Sequence, residues 1–203
     1  KSAKELKRDM ETALLSNVAK TAGNATTARK LGGCPTWYET NVDAGAGGSG
    51  AGNGAIRTDG TQRAFTEDQL KGILVSCYNE GGNPNMIMVN AFNKQKLSGF
   101  TGGSTRFDAA EDRRLITSID VYESDFGTMQ VSPNRFIRGA NGTAAKIGQD
   151  AHILDMEFWA VSFLRDFALQ TPAQTADADQ RFMVAEYTLE SRNEKASGLI
   201  TDL

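Results

Sequence analysis

Apolar side chains recur at three- and four-residue intervals near the start of the chain, at Leu6, Met10, Ala13, Leu14 and Val18. That period predicts an amphipathic helix over residues 2–20, and Gly23-Asn24 supplies a stop signal. Lys4, Lys7, Arg8 and Glu11 occupy the other faces. The pairs Lys1–Glu5 and Lys7–Glu11 at i,i+4 each add about 0.2–0.5 kcal/mol. A second helix starts at Thr66, whose hydroxyl and Gln69 three residues on form a capping box. It carries the stripe Leu70, Ile73, Leu74, Cys77 and Tyr78 and ends at Gly81-Gly82.

Beyond Pro84 the pattern becomes strand-like. Met86 to Val89 is a short apolar run bounded by turn residues and predicts a buried strand. A helical turn through Lys94 to Phe100 follows, broken by Gly102-Gly103. Ile116 to Tyr122 and Thr128 to Val131 read as a hairpin around Ser124-Asp125-Phe126-Gly127, with a turn longer than two residues. Asn141-Gly142 marks another turn. Ala151 to Leu154 and Trp159 to Leu164 suit strands, as does Phe182 to Leu189, where Glu186-Tyr187 suggests a register change or bulge. Thr171 to Gln180 is a polar loop, and Asn193 to Ile200 predicts a short closing helix. Helices first, then antiparallel-looking strands with scattered helices, is an α+β order without the βαβ rhythm of a doubly wound sheet.

Between Asn41 and Gly60 glycine dominates, and few side chains there can offset the cost of ordering the backbone. The stretch reads as a flexible surface loop. Gly45, Gly47 and Gly50 formally spell GxGxxG. A dinucleotide site needs those glycines at a strand-to-helix turn, so a surface loop is the better reading.

Composition narrows the function classes. The chain has 203 residues, 2 Cys and 1 His, with 22 basic and 25 acidic side chains for a formal charge of −3. A chain of this length buries roughly 70% of its unfolded surface on folding. There is no global positive field for nucleic acid or anionic lipid. The longest apolar runs are far short of the roughly 20 residues that span a bilayer, so no membrane partner is expected. Cys34 and Cys77 make neither a disulfide framework nor a metal cluster. Any Ser-His-Asp chemistry would have to run through His152, which no GxSxG elbow accompanies and which reads better as a structural strand residue. Asp125-Phe126-Gly127 matches the kinase magnesium motif by letters alone, since the other kinase segments are absent. The acidic patch Asp108, Glu111 and Asp112 lacks the spacing of a calcium loop. Asn24-Ala-Thr26 and Asn141-Gly-Thr143 match the glycosylation triplet, which matters only in a secreted eukaryotic protein. Lys1, Lys4, Lys7, Arg8 and Lys20 form a basic cluster diluted by Glu5, Asp9 and Glu11, a solvated or subunit-facing surface. No catalytic, cofactor-binding or metal residue is assigned.

Several stretches carry a resemblance. They are Lys4 to Asn17, Ala28 to Gly33 running on to Trp37, Gly82-Asn-Pro84, Phe92 to Phe100, Asp120 to Gly127, Pro133-Asn-Arg-Phe136, Glu186 to Glu190 and Arg192 to Ala196. Their order and spacing over the whole chain resemble the major capsid (major head) proteins of tailed phages typified by phage SU10, which have the HK97-type fold. The resemblance implies a structural protein that is not an enzyme and needs no cofactor. Copies of it, in hexamers and pentamers, would tile an icosahedral shell around double-stranded DNA held without sequence specificity. Portal, scaffold or decoration proteins would be further partners. The place implied is the virion capsid, assembled in the bacterial host cytoplasm.

The same resemblance implies a division of the chain. Residues 1–40 would give the spine helix and connection of the peripheral domain, 41–65 the glycine-rich flexible loop and 66–112 the axial-domain helix and strand. Residues 113–203 would give strands shared between both domains and a C-terminal short helix. An N-terminal arm and extended loop normally precede the spine helix in this fold. A chain opening at Lys1 is thus expected to be the core of a longer subunit, trimmed by design, maturation or proteolysis. Alternatives are an encapsulin-like shell of the same fold, a small-molecule-binding enzyme using the glycine loop, or a decoration or tail protein.

Overall fold

Helix α1 spans Ser2–Leu14 and stops short of the predicted residue 20. The computed structural model, which describes residues 2–100, 120–137, 150–173, 177 and 180–203, shows why. The Ser16 hydroxyl turns back onto the Ala13 carbonyl at 2.8 Å. Asn17 is buried and clamps the backbone of Arg57 from both sides, its Oδ1 accepting the Arg57 N–H at 3.2 Å and its Nδ2 donating to the Arg57 carbonyl at 3.4 Å. A tertiary bond replaces the next helical turn.

Helix α2, Glu67–Asn79, has the predicted capping box in full: the Gln69 N–H donates to Thr66 Oγ1 at 3.4 Å, and Gln69 Oε1 accepts the Thr66 N–H at 2.9 Å. It ends at Gly81, whose φ of 83° suits a residue without Cβ. Leu70, Ile73, Leu74 and Cys77 are buried as the stripe requires, but Tyr78 faces out and stacks on Phe126 with centroids 4.9 Å apart. Helix α3, Ala91–Ser98, starts earlier than the sequence pattern suggests because Asn90 caps it, its Oδ1 accepting the Asn93 N–H at 2.7 Å.

The described residues form eight strands: β1 (Val42–Asp43), β2 (Met86–Val89), β3 (Val121–Ser124), β4 (Gly127–Pro133), β5 (Ala151–Leu154), β6 (Trp159–Gln170), β7 (Phe182–Ser191) and β8 (Gly198–Ile200). Six form one mixed sheet in the order β1-β8-β5-β2-β4-β3. β2 runs parallel to β4 and antiparallel to β5; β8 runs antiparallel to β5 and parallel to β1. Alternation splits the sheet's side chains between two layers. Ile87, Val89, Met129, Val131, Ile153 and Ile200 pack under α2 and α3 in the larger core. Leu154 and Leu199 pack on the opposite face against Cys34 and Tyr38, with Met86 and Met88 at its margin. Each fully buried Leu or Ile contributes about 1.5–3 kcal/mol.

The hairpin β3–β4 corrects the expected turn length. Ser124 pairs with Gly127, so Asp125-Phe126 is a two-residue turn, with Gly127 at φ 137°. The closing helix is also corrected. Glu194–Ala196 is a single 3-10 turn capped by Asn193, and the chain then enters the sheet as β8. Gly198 lets β8 lie under α2, because a Cβ there would collide with Ile73 Cγ2.

β6 and β7 form a separate two-stranded ribbon. Its irregularities fall at Phe163/Arg165 and Arg165/Ala168, and both put the extra residue on β6, not on the strand where the alternation breaks. Helix α1 lies against the ribbon, with Lys7 Nζ 5.5 Å from the Phe167 ring centroid. The expected strand residues before Asp120 and the Asn141-Gly142 turn lie outside the described residues.

Candidate functional site

The glycine-rich stretch is organised around a charge that the sequence pattern does not flag. Arg57 is fully buried, and its guanidinium meets three carboxylates: Asp150 at 2.8 Å, Asp59 at 2.9 Å and Asp202 at 3.5 Å. Asp202, one residue from the chain's last, also accepts the N–H groups of Gly45 and Gly60 at 3.0 Å each and the Thr201 hydroxyl at 2.9 Å. The stretch is thus folded around the Asp202 carboxylate, contrary to the expectation of a loop unable to order itself. Glycine serves here for close approach: a Cβ on Gly45 would collide with the Thr61 carbonyl, and one on Gly48 would sit 2.9 Å from the Gly60 nitrogen.

Taking Asp150 out of water displaces its proton affinity, and one guanidinium shared among three acids does not restore it. Burial pushes Asp150 up to about 8; Arg57 opposes this, while Asp202 and Asp59 add to it. Asp150 Oδ2 has no hydrogen-bond partner among the described residues. Burial pushes Asp202 the same way, but the Gly60 N–H, the Thr201 hydroxyl, the Gly45 N–H and Arg57 outweigh it and hold it below the usual carboxylate range. The Gly45 and Gly60 amides are spent on Asp202 and are not available to a pyrophosphate. Gly45, Gly47 and Gly50 also lie after the two-residue β1 and lead into no helix, so the GxGxxG match lacks its structural context.

His152 lies fully buried on β5, as a structural strand residue should. Its Nδ1 is 3.4 Å from Tyr38 Oη and 3.9 Å from Cys34 Sγ, which are 3.3 Å apart. Burial, then the Arg57 charge, lowers His152 to about 3, and burial pushes Cys34 up to about 12. A neutral imidazole beside an un-ionised thiol, shut off from solvent, is a packing contact without a thiolate nucleophile. Cys77, on the buried face of α2, is likewise pushed up to about 12 by burial.

The other sequence candidates are dispersed. Asp125-Phe126-Gly127 belongs to the β3–β4 turn and its first β4 residue. Asn24 closes an Asx turn, its Oδ1 accepting the N–H groups of Thr26 at 2.9 Å and Thr27 at 2.8 Å. Lys20 does not join the α1 cations; it bonds Asn53 Oδ1 at 2.7 Å and lies over Trp37. Lys1, Asp108, Glu111, Asp112 and Asn141 lie outside the described residues. Among the described residues no group of three or more His, Cys, Asp or Glu side chains is arranged to hold a metal ion. No helix among them is long and apolar enough to cross a membrane.

What the molecule does offer is surface. Leu164, at the first β6 irregularity, is 81% exposed, and Phe163, Leu169 and Phe182 on the same ribbon are exposed too. Beside them a groove of about 980 Å³ runs between the ribbon and residues 21–31. A second apolar tip, Tyr78 with Phe126, stands at the β3–β4 end of the six-stranded sheet. Extended surfaces with buried charge used internally suit a protein that works by contact.

The family model described as SU10 major capsid protein matches residues 1–203, the whole of the chain. No curated protein matches it.

Proposed function

The chain belongs to the SU10 major capsid protein family, and from that premise we propose that it tiles the icosahedral head of a tailed phage through an HK97-type fold. The protein is a structural phage capsid protein: copies of it assemble into a shell, and it belongs in the virion. The finer reading assigns α1 and the β6–β7 ribbon to a peripheral domain and the six-stranded sheet with α2 and α3 to an axial domain. Residues 1–40 carry the spine helix and its connection and 41–65 the glycine loop. Residues 66–112 carry the axial helix and strand, and 113–203 the strands shared by both. Hexamers and pentamers of the subunit enclose double-stranded DNA, with portal, scaffold or decoration proteins as further partners, and assembly takes place in the host cytoplasm.

The observation that carries this reading is the family match over all 203 residues. The physics agrees with it. Shell subunits need repeated, extended interfaces, each of roughly 1,200–2,000 Å² or more. The apolar side chains of the ribbon and the Tyr78–Phe126 tip are exposed and so open to such contacts. A formal charge of −3 suits a container whose DNA must leave, because phosphate neutralisation by a strongly basic lining would hold it. The test is electron microscopy of the complete gene product expressed alone. Closed shells or capsomer rings are the expected result; a strictly monomeric protein at high concentration would overturn the reading.

A further inference from the structure

We propose that the acidic β3–β4 turn of one copy seats in the basic, apolar groove beside the β6–β7 ribbon of the next copy. This contact rests on the shell reading and specifies which two surfaces meet. The groove is lined by Arg29, Lys30, Phe163, Leu164, Glu186 and Tyr187. The Glu186 carboxylate is met by Arg165 at 3.2 Å, so Arg29 and Lys30, both exposed, set its sign. Its apolar wall is exposed, and among the described residues the two-stranded ribbon has no third strand to shield it. A groove of about 980 Å³ lies at the upper end of the range that encloses a drug-sized group, enough for a turn and its aromatic side chain.

The turn is the complement in both charge and chemistry. Glu123 on β3 and Asp125 in the turn are exposed, no Lys or Arg occurs from Asp120 to Asn134, and Lys71 of α2, which lines the hollow beside them, is paired with Glu67 at 3.0 Å. Asp120 is already taken by Lys94 at 3.1 Å. Phe126 is 40% exposed and is propped outward by Tyr78, so an apolar tip stands beside two exposed carboxylates. Two positive and two negative side chains flanking apolar centres give the complementarity that sets register and steers encounter. The strand bearing the turn ends the six-stranded sheet, whereas the groove belongs to the ribbon. The two faces differ, and every copy carries both. Made once between neighbours, the contact is heterologous, the kind that propagates around a ring.

Charge reversal and its rescue test this on the complete gene product. Arg29→Glu with Lys30→Glu, and separately Glu123→Lys with Asp125→Lys, should each raise the concentration needed for assembly by about tenfold or more at low ionic strength, read by light scattering and microscopy. The four changes in one chain should restore assembly to near the unaltered level. The milder pair Glu123→Gln and Asp125→Asn should weaken it in the same direction. All four positions are exposed, and unchanged thermal unfolding of each variant checks that the subunit still folds. Assembly indifferent to the reversals, or no rescue in the fourfold variant, overturns the contact alone. Failure of the unaltered protein to assemble removes the shell reading and this contact with it.

Discussion

Replacing Asp150 by asparagine should change how the stability of the subunit depends on pH. Asp150 lies fully buried against Arg57 and Asp202, with the partly exposed Asp59 on the same guanidinium, and burial foremost raises it from 3.8 to about 8. Between those values the folded chain holds a proton that the unfolded chain releases. The contribution is therefore complete below about pH 4 and is lost as pH rises towards 8. Each unit of difference is worth about 1.4 kcal/mol, so from pH 6 to pH 8 the unaltered protein should lose on the order of 2 kcal/mol through this group. The side-chain amide introduced by Asp150→Asn keeps an oxygen for Arg57 Nη2 and places its nitrogen where Oδ2 has no partner. It mimics the protonated acid without titrating. His152 titrates in the opposite sense: lowered from 6.5 to about 3, it adds stability as pH rises through that window. It is present in both proteins and cancels in the comparison. Urea unfolding of dilute subunit at pH 6, 7 and 8 gives the two curves. Their separation should widen with pH in favour of Asp150→Asn; parallel curves would show that Asp150 is ionised throughout and refute the account of the cluster.

Two further outcomes follow from packing. Gly33→Ala drives a Cβ into the Ser16 carbonyl and should cost about 3 kcal/mol. Gly72→Ala, on an exposed face of α2 with nothing within 4 Å, should stabilise by about 1 kcal/mol; paired chemical denaturation measures both, and equal effects would contradict the geometry. Cys34 and Cys77, buried and pushed up to about 12, should resist a thiol reagent in the folded protein and react only on unfolding. Rapid labelling under native conditions would show that the core opens around them.

Much of the local structure was legible. The capping box at Thr66, the strand Met86–Val89, the hairpin around Ser124 to Gly127, though with a tighter turn, and the buried strand at His152 rest on patterns a few residues long, and each stands in the structure. Misreadings arose where a distant partner overruled the local pattern. Asn17 leaves its helix for the backbone of Arg57, 40 residues away. Leu199 and Ile200 read as a helix end but become strand because β1 and β5 offer a slot with open backbone groups on both sides. The Arg57 cluster had no local signature, since its guanidinium meets Asp150 and Asp202 at separations of 93 and 145 residues.

From the chain alone came the α+β class, most of the elements and, through segments spread along its length, the capsid family that the whole-chain match establishes. Those are properties of short-range propensity and of inherited residue order. Only the tertiary structure decided the strand order, the burial of a charged arginine inside a glycine-rich stretch and the exposure of an apolar ribbon. Each depends on which distant groups meet. A buried charge holds only with its carboxylates in place, and an apolar side chain is exposed only if nothing in its own subunit covers it.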